Sequence, residues 1–433
     1  MSNNDKNSRK ADLWRAVSPK GSPARLFIWA VSLGALVYTV IYMIIGNGSF
    51  ANMFFTRCSD FFMDFFNSIR DASQGSAVYT ERHVIYPPMA NLIYLALSRF
   101  TPSAYNDSTF NARYTWTNYF TPMMLVVIWC VACALVFVFI VTSVLKKGSN
   151  TKKFLVAALT FFSAPTLYLL ERGNIIVLAL IALMVYAFTY NSKESWKREL
   201  GLLCLAFSFS IKLYPVVFGW FLIADKRFKE ALRCVIYGFL MLLIPSFFFG
   251  GPACFYQLFL NIFSFSSGEG STLEVILNFI NMPAIGQKIF TLLVYLWVLI
   301  CGVCFAVSPF IRKDAPWKTW AVGLVTILCV PSLTSIYSWA FMVIPLLMLF
   351  NIDKANKNHI IYSVMLTIPF IMLPFRFNSH VSTNTVSVYV MTAVLSVFCV
   401  IDTVKDFRAF VAQKKGEGVT LGEYMRSLVK KEL

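Results

Sequence analysis

From Leu26 to Gly46 the chain runs 21 residues without a charge, and from Pro122 to Leu145 it does so again for 24. A helix needs about 20 consecutive apolar residues to cross a hydrocarbon core of about 30 Å. Stretches of that length, or nearly so, recur at 26–46, 122–145, 153–170, 174–190, 232–250, 288–309, 317–333, 338–350, 359–374 and 385–402. Charged residues make up 14% of the chain against 58% apolar. A soluble domain carries about a quarter charged residues, so too few charges remain here to build a water-facing surface. The pattern predicts an all-α polytopic integral membrane protein with about ten full transmembrane helices.

The net charge is +17, but the positive residues lie in short clusters between apolar runs, which argues against a nucleic-acid partner and for orientation by cytoplasmic loops. Placing the N-terminus in the cytoplasm puts 29 of the 38 Lys and Arg on that side, in 1–25, 146–153, 191–199, 225–233, 310–318, 351–359 and 402–433. Ten crossings bring the C-terminus back to the same side. Two further apolar segments, 86–98 and 200–224, do not fit as single crossings, because either one would carry Lys146, Lys147, Lys152 and Lys153 outside. Each is therefore expected to be a re-entrant or broken helix pair, with Pro87, Pro88 and Pro215 as the interruptions.

This divides the chain into a basic N-terminus at 1–25, one transmembrane domain at 26–402 and a tail at 403–433. The first 25 residues are polar and basic with no cleavage site after the first apolar run, so that run is expected to remain as a spanning helix. The outer face carries the loops 47–121 and 251–287. The second of these is rich in Phe, includes Gly268-Glu269-Gly270-Ser271, and reads as an interfacial flap. The tail sets Phe407, Phe410, Val411, Leu421, Tyr424 and Leu428 among Lys and Arg, a composition suited to the anionic inner leaflet.

Nearly all of the ten cysteines sit inside apolar runs, including Cys130/Cys133 and Cys301/Cys304 at CxxC spacing. A zinc or redox site needs thiolates in a polar setting with further ligands nearby. These pairs read as small buried residues, and neither a disulfide framework nor a metal site is expected.

Five groups of residues could carry chemistry on the outer face. Asp60 and Asp64 stand four apart in an aromatic-rich segment and would share a helix face, where a carboxylate could serve as general base. A pair of solvated loop acids is the competing reading. Arg82, His83 and Tyr86 precede Pro87-Pro88 and could meet an anion, although such residues are also ordinary interfacial anchors. Glu171-Arg172-Gly173-Asn174 forms a tight turn in which a planar guanidinium and a following helix N-terminus both favour phosphate; an Arg–Glu pair stapling the turn would look the same. Lys212 interrupts an apolar run just before Tyr214 and Pro215, at an insertion cost of about 2.5–3.5 kcal/mol unless it is paired or wet. Arg376 and His380 follow Pro374 and could contact an anionic ligand or lie solvated.

Ser59-Asp60-Phe61, Tyr86-Pro87-Pro88, Arg172-Gly173-Asn174 and Lys212-Leu213-Tyr214-Pro215 follow one another in an order that resembles the polyprenyl-phosphate-mannose-dependent alpha-1,2-mannosyltransferase-like family, within the clan C membrane glycosyltransferases. The likeness spans about residues 26–350. It implies a multi-pass cell-membrane enzyme that takes a sugar from a polyprenyl-phosphate carrier on the extracytoplasmic side and passes it to a hydroxyl of a glycolipid or cell-envelope glycan. The family's first-loop aspartate matches Asp60, with Asp64 close enough to share or take its role. Arg172 matches the Arg-Gly-Gln/Asn element, Lys212, Tyr214 and Pro215 the lysine–proline element, and Tyr86, Pro87 and Pro88 the diproline element. The family's late Ser-Trp-Asp-His-like stretch is replaced by Ser335-Ile336-Tyr337-Ser338-Trp339, without histidine or acid, which puts more weight on Asp60 or Asp64 as the base.

The expected scheme binds the donor phosphate through Arg172 and Lys212 with help from Arg82. His83, Tyr86, Asn174, Tyr214, Tyr337, Arg376 and His380 line the substrate cavity. Asp60 or Asp64 deprotonates the acceptor, whose attack inverts the anomeric centre. No cofactor is expected, and no metal is required, because the acids are not in an Asp-x-Asp arrangement and Arg and Lys can stabilise a monophosphate leaving group. A transporter or flippase of lipid-linked saccharide would also use broken helices and buried cations, and a surface-polysaccharide polymerase or ligase would share the lipid-phosphate substrate.

Overall fold

The structure is a computed structural model, describing residues 22–45, 62–102, 119–267, 277, 281–312, 314–330, 333, 335–373, 375, 377 and 381–418. It is all-helical, and the described residues contain no strand. Five helices are long and apolar enough to cross a membrane, each with at most two charges in its most apolar window. They are α1 (Pro23–Ile45), α5 (Phe120–Val144), α11 (Phe228–Ser246), α13 (Ala284–Ile311) and α17 (Thr383–Gly416). A sixth span results if α6 (Asn150–Phe161) and α7 (Ala164–Glu171) count together; they bend by 54° where Ser163 turns extended and Pro165 opens the second helix.

Between α1 and α5 lie α2 (Met63–Ser73), the single turn α3 (Ala77–Thr80) and α4 (Pro88–Ser98). The central part contains α8 (Ile176–Thr189), α9 (Ser195–Ile211) and α10 (Trp220–Ala224), followed after α11 by α12 (Cys254–Ser267). The last third contains α14 (Pro316–Leu328), α15 (Val343–Phe350) and α16 (Lys357–Thr367).

The other expected spans are shorter helices: 174–190 gives the 14 residues of α8, 317–333 the 13 of α14, 338–350 a 3-10 turn followed by the eight of α15, and 359–374 the 11 of α16. Burial separates the two groups. In α8 ten residues are buried, and in α15 seven of eight, whereas α13 presents Ile285, Leu292 and Leu299 to the outside at 75%, 69% and 63% exposure. A seven-residue spacing places those three on one face, where apolar exposure suits lipid. A helix apolar all round belongs in the interior instead, and α8, α14 and α15 supply much of the main core with Met184, Trp320 and Leu346, joined by Trp339 from the 3-10 turn before α15.

Two proline readings come out differently. Pro87 and Pro88 do not interrupt a helix: Pro87 is extended and Pro88 starts α4, since a proline at the first helical position lacks only an amide that would be unbonded there. The break in 200–224 is where it was expected. α9 ends at Ile211, Lys212 is extended with φ −146° and ψ 127°, and Pro215 lies in a 3-10 turn over Tyr214–Gly219. That turn is fixed from two sides, by the Tyr186 hydroxyl donating to the Phe218 carbonyl at 3.0 Å and by Phe218 stacking on Trp320 at 4.4 Å.

No break separates the tail from the transmembrane domain at residue 402, because α17 runs on to Gly416. Asp402 and Asp406 on that extension pair with Lys318 at 3.3 and 3.2 Å, and Asp406 also with the buried Arg312 at 2.7 Å. Cys130, Cys133, Cys301 and Cys304 are all unbridged. His359 closes a capping box with Asn356 at the start of α16.

Candidate active site

The turn between α7 and α8 reverses at Gly173, whose φ of +62° is in the left-handed region that favours glycine. A Cβ there would lie 2.6 Å from Cβ of Phe65, so this glycine also permits the close approach of α2. The amide of Phe62, which caps α2, donates to the Glu171 carbonyl at 2.7 Å and ties the start of that helix to the turn. Phe65, Phe66, Ile69 and Ala72 bury the other face of α2 in the main core beside Tyr94 of α4. These contacts leave Asp64, in the first turn of α2, facing Arg172 and Asn174.

Arg172 donates from Nη2 to Asp64 Oδ1 at 2.5 Å, and Asn174 donates from Nδ2 to Asp64 Oδ2 at 2.9 Å. The same Asn174 nitrogen lies 2.9 Å from the Tyr86 hydroxyl, while its Oδ1 accepts from the Ile176 amide at 3.0 Å and so fixes the start of α8. The Ile175 amide donates to the Tyr94 hydroxyl at 3.2 Å. Lys212 Nζ sits 5.0 Å from the centre of the Tyr86 ring, within cation–π range. Asp64 and Arg172 are each about a quarter exposed, at 22% and 24%, so the pair is open to a ligand on one side. Burial alone would pull the Arg172 guanidinium down, but the Asp64 carboxylate outweighs it and holds its pKa above the ordinary value.

Tyr337 and Tyr168 stack with ring centres 6.2 Å apart, and Tyr337 lies close enough to Asp64 and Arg172 to feel both charges. Tyr214 packs edge-on against Phe341 at 5.5 Å, and its buried hydroxyl has no hydrogen-bond partner among the described residues. The fold thus gathers Asp64, Tyr86, Arg172 with Asn174, Lys212 and Tyr337 from five places in the sequence, with Tyr214 two residues from Lys212.

Arg82 and His83 lie elsewhere. Arg82 acts on Asp71, two turns further along α2, where Asp71 also pairs with Arg70 at 2.9 Å. His83 is exposed, with φ 51°. Asp60, Arg376 and His380 fall outside the described residues. Among the described residues no group of three or more His, Cys, Asp or Glu could hold a metal ion.

Sequence reasoning passed over Tyr94, Tyr168 and Asp71. A signal for the first was present: Asn91 stands in the otherwise apolar α4, and its fully buried amide donates to the Tyr79 hydroxyl at 2.9 Å and the Tyr86 carbonyl at 3.2 Å. A buried amide of this kind marks a helix face that supports polar structure. Tyr168 had no such flag, being one aromatic in an apolar run.

A family model described as glycosyltransferase family 87 matches residues 85–332, more than half of the chain. The chain belongs to glycosyltransferase family 87. Its membership agrees with the clan C resemblance and makes the protein a glycosyltransferase, acting on a sugar donor and an acceptor. Together with its apolar helices, family 87 makes it a multi-pass membrane protein. The matched region contains Tyr86, Arg172, Asn174, Lys212 and Tyr214, whereas Asp64 lies upstream of it and Tyr337 downstream. No curated protein and no solved structure matches the chain.

Proposed function

We propose that the protein moves a single mannose-like hexose from a polyprenyl-phosphate donor to a hydroxyl of a glycolipid or cell-envelope glycan, on the extracytoplasmic side of the cell membrane and with inversion. The observation that carries this reading is the Asp64–Arg172 pair with Asn174, Tyr86 and Lys212 around it. A carboxylate offers about four acceptor sites, and Arg172 and Asn174 use one on each oxygen, so Asp64 can still accept from an acceptor hydroxyl. Arg172 uses one of five donors on Asp64, leaving the guanidinium able to meet a phosphate. Lys212 has no carboxylate within ion-pair distance among the described residues, and its charge is held beside the tyrosine ring.

In this scheme Asp64, or Asp60 beside it in sequence, takes the proton from the acceptor hydroxyl as that oxygen attacks the anomeric carbon. The bond to the carrier phosphate breaks on the opposite face, and Arg172 and Lys212 stabilise the charge that builds on the leaving oxygen. No metal or cofactor takes part. Tyr337 and Tyr214 offer hydroxyls and ring faces to the sugar. The positive-inside bias supports ten crossings with both termini in the cytoplasm, which puts the Glu171–Asn174 turn outside.

The test is transfer of labelled hexose from synthetic polyprenyl-phosphate-hexose donors by the full-length protein in lipid. Transfer by the wild type that is lost in Asp64→Asn and Lys212→Met supports the reading. Transfer only from a nucleotide-sugar donor, or undiminished turnover in Lys212→Met, overturns it.

A further inference from the structure

The bent pair α6–α7 carries Arg172 just beyond one end. At its other end, where α1 and α6 begin, the chain encloses a cavity of about 270 Å³. That is room for about nine waters, enough for a phosphoryl group with part of what it is attached to. Lys147, Lys152 and Lys153 line it, and Asp353 is the one carboxylate in the lining.

Asp353 is already paired with Lys147 at 2.6 Å, and its side chain is 95% exposed. An ion pair so open to water contributes little and is readily displaced. Among the described residues no carboxylate pairs with Lys152 or Lys153, and Arg25 lies near enough to repel Lys152. Three lysines in the lining, with Arg25 nearby, therefore stand against one exposed acid.

The site is also held in place. Asn351 accepts from the Lys146 amide at 2.8 Å and donates to the Val144 carbonyl at 3.0 Å, clamping the turn before α6 to the segment after α15. Gly148, at φ +95°, lets this turn close: a Cβ there would lie 2.9 Å from Cδ of Lys152, so the bare backbone supports the lysine stem. Ser149 caps α6, leaving the positive end of the helix dipole at the cavity. The walls include Val156, Phe350 and Leu145.

We infer that this cavity is a binding site for a phosphate-bearing anion, at the end of the molecule away from the candidate active site. Lysines around a compact space at a helix start recognise phosphate as point charges, and an apolar wall favours one with an acyl chain attached. The position fits a lipid headgroup, because α1 begins at Pro23 and the cavity lies level with the end of that spanning helix. Basic pockets between transmembrane helices hold anionic headgroups in this way.

The test measures binding of short-chain phosphatidylglycerol and, separately, of inorganic phosphate to the full-length protein in zwitterionic lipid, with native mass spectrometry counting bound lipid. Each lysine near such a group contributes about fivefold in affinity. Lys152→Gln with Lys153→Gln should weaken binding about thirtyfold, and Lys147→Gln alone about fivefold. The pair Lys193→Gln with Lys229→Gln removes two exposed charges outside the lining and should leave binding unchanged.

Lipid binding that millimolar inorganic phosphate does not displace assigns the site to a headgroup. Displacement at matching concentrations assigns it to free phosphate. Equal affinities in the Lys152/Lys153 and Lys193/Lys229 variants overturn the inference, as does loss of binding in both with unchanged thermal unfolding. Neither result touches hexose transfer, which is read from the other end of the molecule.

Discussion

Arg172 and Asp64 are 108 positions apart in sequence and 2.5 Å apart in space. The contact joins the first turn of α2 to the turn before α8, and both segments are shaped to allow it, by left-handed backbone at Phe62 and at Gly173. An acid and a base brought together from such distance define the centre of the site more firmly than either residue alone.

Arg172→Lys tests the geometry of that pair. Lysine keeps the charge but loses the planar fork, so turnover should fall sharply while binding of donor weakens less. Asp64→Asn should cost about 1–3 kcal/mol in stability, because it leaves a partly buried guanidinium without its charged partner, and should abolish transfer. Thermal unfolding and labelled-hexose transfer, run on the same preparations, separate the two effects.

Asn174→Asp would place a second carboxylate about 3 Å from the first. Two such groups resist ionising together, which raises the pKa of one of them. The acidic limb of the pH–activity profile should therefore move to higher pH than in the wild type. A profile that keeps its position while losing only amplitude would argue against this reading.

Gly173→Ala meets two obstacles, the left-handed φ and the Cβ of Phe65 at 2.6 Å. The backbone conformation alone costs about 1–2 kcal/mol for a residue with a Cβ. The substitution should lower the unfolding temperature and push α2 away from the turn, reducing transfer. Gly75→Ala is the comparison: its φ is also positive, at 59°, but nothing lies within 4 Å of the added carbon, so it should lose stability without losing transfer.

Lys212→Met removes a charge placed to stabilise the leaving group. Such a loss costs about 100-fold or more in kcat, and the unfolding temperature should hold or rise, since an apolar side chain suits the surroundings better. Lys212→Arg should recover part of the rate. Stopped transfer with intact donor binding is the expected pattern.

Asp71 offers a pH test away from the site. Burial raises its pKa above the usual 3.8, against the pull of Arg70 and Arg82. The folded chain thus binds this proton more tightly than the unfolded one, so the Asp71 contribution to stability falls as pH rises from 3.8 through the folded value. Asp71→Asn should flatten that part of the stability profile, measured by thermal unfolding across the acidic range.

Residues that broke a local rule were legible in the sequence. Lys212 stood out as a charge in an apolar run, and the structure shows the helix ending just before it. Gly173 between charged and polar neighbours announced a tight turn, and Asn174 does begin a helix by accepting the Ile176 amide. The pairing of Asp64 with Arg172 was not legible, because no spacing rule links residues so far apart. Burial was illegible for a related reason: hydropathy treats α8, enclosed by protein, and α13, facing outward, as equals. The diproline misled because proline breaks a helix from inside but opens one at its first position.

The long separation of Asp64 from Arg172 also sets a timetable. A ribosome adding about 5–20 residues per second delivers the acid some 5–20 s before its arginine. Until the turn after α7 has been made, the newborn chain carries a carboxylate whose guanidinium partner does not yet exist.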